Sequence, residues 1–228
     1  MINLKFEHDD FFVVNKPNNV GFHDENGELG FFNQCASYFS ETLYPVHRLD
    51  KITSGLLILA RNKQAAIWFQ QAFEQKHIEK VYIALSASKP KKKQGSVVGD
   101  MEKARNSQWK LTKQTTNPAI TRFLTASLND DNIAALRLFL LKPHTGKTHQ
   151  LRVAMKSLGS AILGDKLYNG LDADRGYLHA TAVKFSYLGE NIELVQLPDT
   201  GLHFQQHIKT VEQFIGNPFD KNWPGKSK

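Results

Sequence analysis

Tyr44-Pro45-Val46-His47-Arg48-Leu49-Asp50-Lys51-Ile52-Thr53-Ser54-Gly55-Leu56-Leu57-Ile58-Leu59-Ala60 is a charged, turn-prone segment running straight into five apolar residues. The unbroken run from Leu56 reads as a buried strand, because a strand with one wet face would alternate. Asp50 is then held on a loop beside a rigid element, where a scaffold fixes the carboxylate and a ligand can still reach it. Taken alone, the segment is read more simply as a solvated turn with an incidental ion pair among His47, Arg48 and Asp50.

Composition narrows the setting. With 228 residues, 41% of them apolar and 11% aromatic, the chain can bury a core and is not a disordered tail. Its single cysteine, Cys35, excludes an internal disulfide framework and a multi-cysteine zinc site, and it lies in a helical pattern as a small buried residue. Residues 1–6 lack a signal-peptide pattern and no apolar run is long enough to span a bilayer, so a cytoplasmic protein is expected. A net charge of +7 and a pI near 9.4 favour a polyanionic partner. The basic residues cluster at Lys89, Lys91, Lys92 and Lys93, followed by Lys103, Arg105, Lys110 and Lys113. That run reads either as a solubilising loop or as a grip on phosphates that would weaken with salt.

Around the Asp50 loop the pattern predicts a strand over 9–17 and a helix over 31–43. A second helix is capped by Asn62, and Ala65, Trp68, Phe69, Ala72 and Phe73 recur along it as the expected buried face. In the strand over 78–85, Val81, Ile83 and Leu85 share one face while Lys80, Tyr82 and Ala84 share the other. Residues 86–117 read as a polar excursion, and strands resume over 120–127 and 133–141. Thr148 can cap a helix that buries Leu151, Met155 and Leu158, with Arg152 at the flank of that face. A single amphipathic helix is expected over 203–215, and a frayed end over 221–228.

His47-Arg48-Leu49-Asp50, two variable residues, then Thr53-Ser54-Gly55 resembles the active-site signature of the RluA-type RNA pseudouridine synthases. Asn15-Lys16-Pro17 resembles the turn after that family's opening strand, and Tyr82 its second motif. Thr145-Gly146-Lys147-Thr148-His149-Gln150-Leu151-Arg152 resembles its third. Lys147 stands where arginine is usual, which keeps the charge and gives up the planar fork. Ala154 and Lys156 fall where the family commonly has Val-His and a further His. The segments 161–165 with Tyr168, and 178–180 with Phe185, resemble its closing parts and are expected to be structural supports.

The resemblance implies an α+β fold: a mixed, largely antiparallel sheet in two merged halves with flanking helices and a central RNA-binding cleft. One catalytic domain is expected over 1–228, acting on ribosomal or transfer RNA without metal or cofactor; no separate amino-terminal RNA-binding module is expected, although many relatives carry one, and nothing demands more than a monomer. Asp50 would be catalytic, Tyr82 would contact the target base, and Arg152 would partner the Asp50 carboxylate. Arg48 would fill the gap left by an extruded nucleotide. His47, Thr53, Lys147, His149, Lys91, Lys92 and Lys93 would complete the RNA contacts. His47, His144 and His149 lack metal-ligand spacing, and no glycine-rich loop marks a nucleotide cofactor. Two other classes compete. A noncatalytic RNA-binding protein would have no need of Asp50, Tyr82 and Arg152 together. A retaining glycoside hydrolase would need two carboxylates where the strong motifs supply one.

Overall fold

A computed structural model describes residues 1–225 and divides them between two units. In chain order the elements are β1 (Asn3–Glu7), β2 (Phe11–Lys16), α1 (Phe31–Phe39), β3 (Tyr44–Pro45), β4 (Thr53–Ala60), α2 (Lys63–Glu74), β5 (Glu79–Ser86), β6 (Gln94–Gly99), β7 (Met101–Lys103), β8 (Trp109–Leu111), β9 (Ala119–Ser127), β10 (Arg137–Pro143), α3 (Gln150–Ser157), β11 (Leu178–Tyr187), β12 (Glu190–Val195), α4 (Leu202–Gln206) and α5 (Ile208–Ile215). The architecture is α+β, as expected, and the pairs β1–β2, β2–β4, β11–β12, β5–β10, β10–β9 and β9–β6 are antiparallel.

The first unit takes Met1–Glu79 and His179–Gln196. Its strands lie in the order β1-β2-β4-β11-β12, with β3 added to the far end of β4. All eight residues of β4 are buried. The alternate residues Leu56 and Ile58 join Phe11 and Phe185 in a cluster covered by Phe69 of α2, whose ring meets that of Phe11 edge-on at 5.1 Å. On the opposite face, the rings of Phe12 and Phe39 stack at 4.0 Å beneath α1. A strand covered on both faces needs no alternation, which is why Leu56 to Ala60 is continuously apolar. Cys35 is enclosed in α1, as its helical pattern suggests. That helix is shorter than expected: Ser40 takes the left-handed conformation at φ 55° and ends it.

The second unit takes Lys80–Leu178 and the described residues from Leu197 onward. Its strands run β5-β10-β9-β6. The excursion over 86–117 therefore returns one strand, β6, to the sheet and builds a separate β7–β8 hairpin. The strand expected from 133 begins at Arg137, because Asp130 Oδ1 accepts the amides of Asn132 and Ile133 and holds that stretch as a turn.

Two expectations at the end of the chain are corrected. The helix over 203–215 is broken at His207 into α4 and α5, where Asp130 Oδ2 receives both His203 Nδ1 (3.0 Å) and His207 Nε2 (2.9 Å). Fraying is also wrong for 221–225: Trp223 is buried, donates from Nε1 to the Pro218 carbonyl and lies under the Lys142 ammonium. Residues 226–228, the rest of that expectation, lie outside the described residues.

Candidate active site

Asp50 belongs to the first unit, on a turn closed by the Thr53 amide donating to the Asp50 carbonyl at 2.9 Å. Lys16 arrives from β2 with its side chain wholly buried. Its ammonium donates to the carbonyls of Thr53 (2.8 Å), Pro17 (2.9 Å) and Lys51 (3.5 Å). A buried ammonium is tolerable only when oxygen atoms replace its hydration, and here the turn backbone supplies them. Leu49 is buried just before Asp50, while Asp50 itself is only partly buried and Arg48 is exposed. The carboxylate thus stands on a turn whose flanks are anchored.

His47 and Thr53 are placed more deeply than an RNA contact alone requires. His47 Nε2 accepts the Ile58 amide of β4 at 2.9 Å, and its ring packs on Phe73. Thr53 is 2% exposed. After it, Gly55 adopts φ 112°, and a β-carbon there would lie 2.3 Å from the Ala180 carbonyl oxygen of β11. Only glycine lets the two strands approach so closely.

The second unit carries the other two residues expected to be catalytic. Tyr82 is half-buried on β5 between the buried Val81 and Ile83, as the alternation predicts. Lys80 shares its face, and burial pushes the Lys80 ammonium down to about 8.

Arg152 is not at the flank of α3 but inside, because residues Gln150 to Met155 are all buried. Its Nε and Nη2 donate to Asp165 Oδ2 and Oδ1, each at 2.8 Å, and its guanidinium lies 5.0 Å from the Tyr168 ring centroid. Tyr168 in turn accepts the Trp109 amide of β8 and pairs with His149 Nδ1, both at 2.9 Å. Asp165 and Tyr168, expected to be mere supports, thus fix the plane of this cation.

The loop ahead of α3 is ordered by Gln150. Its Oε1 accepts from the Thr145 hydroxyl (2.7 Å) and the Lys147 amide (3.1 Å), and its Nε2 donates to Ile120 O and Thr121 Oγ1. Thr148 does not cap α3. The N-cap is His149, in the left-handed conformation at φ 56°. The Lys147 ammonium donates to the Asn117 carbonyl, so the residue at the family's usual arginine position ties this loop to the segment before β9. Lys91, Lys92 and Lys93 are exposed ahead of β6.

Among the described residues, no group of three or more His, Cys, Asp or Glu side chains is arranged to hold a metal ion, and no helix is long and apolar enough to cross a membrane. Sequence reasoning gave no site role to Lys16, Gln150, Asp165 and His179, although each stands in one of the segments quoted above. Arg152 was expected at a flank, and only its burial in the fold demands the carboxylate that Asp165 supplies 13 residues later.

Residues 10–157 match the family model described as RNA pseudouridylate synthase. The chain is 50% identical over 223 residues to an uncharacterized RNA pseudouridine synthase of Haemophilus influenzae, covering 96% of this chain and 98% of that protein. It is 37% identical to a ribosomal large subunit pseudouridine synthase C of Rickettsia bellii, covering 72% of this chain and 56% of that one. Among solved structures, human RNA pseudouridylate synthase domain containing 1 superposes with a TM-score of 0.75 at 26% identity, over 87% of this chain and 84% of that one.

Proposed function

The chain belongs to the RNA pseudouridylate synthase family and is an isomerase, and we propose that it converts particular uridines of ribosomal or transfer RNA to pseudouridine with Asp50 as its essential group. The observation that carries this reading is the anchored Asp50 turn, which lies within the family motif. A partly buried carboxylate is presented there on backbone that Lys16 and the Thr53 amide hold fixed.

Uridine in folded RNA hides its glycosidic bond in a stack, so the nucleotide must be extruded first. The exposed Arg48 occupies the gap that this leaves. Asp50 promotes cleavage of the bond from C1′ to N1, the base turns, and C1′ rejoins it at C5. The hydrogen on C5 then leaves as a proton while N1 gains one, so the product is an isomer of the substrate. Tyr82 packs against the extruded base and takes part in that proton transfer. Arg152 serves as the cationic partner of the Asp50 carboxylate, in an orientation that Asp165 sets. Lys91, Lys92, Lys93, Lys147, His47, Thr53 and His149 complete the RNA contacts, and the protein works as a cytoplasmic monomer.

The test is tritium release from RNA transcribed with 5-tritiated uridine, comparing the wild type with Asp50→Asn and assaying ribosomal and transfer RNA separately. Release that requires Asp50 supports the reading and identifies the substrate pool. If neither pool releases tritium although the protein binds RNA, the reading fails in favour of a noncatalytic RNA-binding protein. Free uracil among the products would mark a hydrolase instead.

A further inference from the structure

We propose that His179 is a positioning residue for the Asp50 turn, acting through the hydroxyl of Ser54. His179 has no exposed surface, and both of its ring nitrogens are engaged within the first unit: Nδ1 lies 2.7 Å from Ser54 Oγ and Nε2 lies 2.9 Å from the carbonyl oxygen of Gln196. A carbonyl can only accept, so Nε2 carries the hydrogen. In the neutral ring Nδ1 is then an acceptor, and the Ser54 hydroxyl must donate to it. With the ring neutral, the direction of every bond in the chain from Gln196 to Ser54 is fixed.

The chain ends where Asp50 is held. Ser54 is 2% exposed and follows Thr53, whose amide closes the Asp50 turn and whose carbonyl receives Lys16. Gly55 then seals the contact by its close approach to Ala180, the residue after His179. The Gln196 carbonyl also accepts the Thr181 hydroxyl at 2.8 Å, and the Gln196 amide donates to the Thr181 carbonyl at 2.7 Å, so the far end of the relay is itself anchored. The relay acts on the carboxylate's placement and not on the substrate. Its loss should lower kcat and leave KM in place.

Two substitutions separate positioning from packing. In His179→Asn the amide oxygen falls where Nδ1 was and still accepts from Ser54. In His179→Gln the amide reaches the Gln196 carbonyl and the Ser54 bond is lost. The functional half of the proposal rests on Asp50 being the essential carboxylate, so tritium release is paired with hydrogen exchange at the amides of residues 51–55, which needs no turnover. We expect His179→Gln and Ser54→Ala to lower kcat about fivefold to tenfold and to speed exchange at Thr53 by a similar factor. That is the size of one neutral hydrogen bond felt at the reacting group. His179→Asn should restore both toward the wild type. Equal exchange and equal kcat in the two His179 variants would overturn the positioning role and leave packing alone. If the exchange pattern holds while the wild type releases no tritium, the Asp50 reading falls and the structural relay stands.

Discussion

The guanidinium of Arg152 clasps Asp165 through two parallel hydrogen bonds of 2.8 Å, with the two side chains 7% and 1% exposed. Removing one partner of such a pair costs about 3–5 kcal/mol, much more than a surface ion pair contributes. Asp165→Ala should therefore lower the unfolding free energy by that amount, seen as a lower urea midpoint with an unchanged m-value. Arg152→Lys should regain less than half of what Arg152→Ala loses, since an ammonium cannot make both bonds in plane.

Gly55→Ala meets two obstacles: φ 112° and a backbone oxygen 2.3 Å from the new carbon. The oxygen belongs to β11 and cannot swing aside. A loss of about 3 kcal/mol or more is expected. Gly27, at φ 80° with nothing within 4 Å, supplies the contrast: Gly27→Ala should cost only about 1–2 kcal/mol, from the left-handed backbone alone. Thermal unfolding of the two variants side by side measures the difference.

Burial acts to raise the Asp130 carboxyl, but hydrogen bonds from His207, the Asn132 amide, His203 and the Ile133 amide outweigh it and hold it well below the usual carboxylate range. A carboxyl depressed in the folded state binds fewer protons there than in the unfolded chain. Its stabilisation is thus complete above the unfolded value near 3.8 and is lost as pH falls below it. Stability measured from pH 6 to pH 2 should fall less steeply in Asp130→Asn than in the wild type, although the variant starts lower. Parallel slopes would remove Asp130 from the account.

Replacing Lys91, Lys92 and Lys93 together by glutamine should weaken RNA binding across sequences. The plot of log affinity against log salt should flatten by about 2, near 0.7 for each phosphate contact on single-stranded RNA. An unchanged slope would make the run a solubilising loop.

Tyr82→Phe keeps the ring and removes the hydroxyl. RNA affinity should hold while turnover falls about a hundredfold or more, the usual scale for a group that moves a proton. Equal turnover would reduce Tyr82 to a stacking wall.

Local signals carried much of this fold. β4 was readable because burial on both faces leaves an unbroken apolar run, and β5 because Val81 and Ile83 alternate with the half-buried Lys80 and Tyr82. The Asp50 turn was readable as charge and glycine between two apolar segments. What escaped was non-local. Lys16 looks like a surface lysine until three carbonyls from its own turn and the Asp50 turn surround its ammonium. Nothing periodic marks the grip of Asp165 on Arg152. The break between α4 and α5 was equally hidden, since the carboxylate that holds both histidines lies more than seventy residues away in sequence. The family motifs gave roles to Asp50, Tyr82 and Arg152; they also contain Lys16, Gln150, Asp165 and His179, but what those side chains hold is visible only in the fold.

Cys35 gives the first unit a built-in clock. The lone thiol is enclosed in α1 and pushed up to about 12 by burial, so the reactive thiolate is scarce in the native protein at neutral pH. A thiol-specific dye added to the native protein should react only through openings in which α1 lifts from β2, and at high dye concentration its rate should level off at the opening rate. Labelling with and without RNA would then time how firmly the Phe12–Phe39 stack is held during binding, with no engineered probe and no background from a second cysteine.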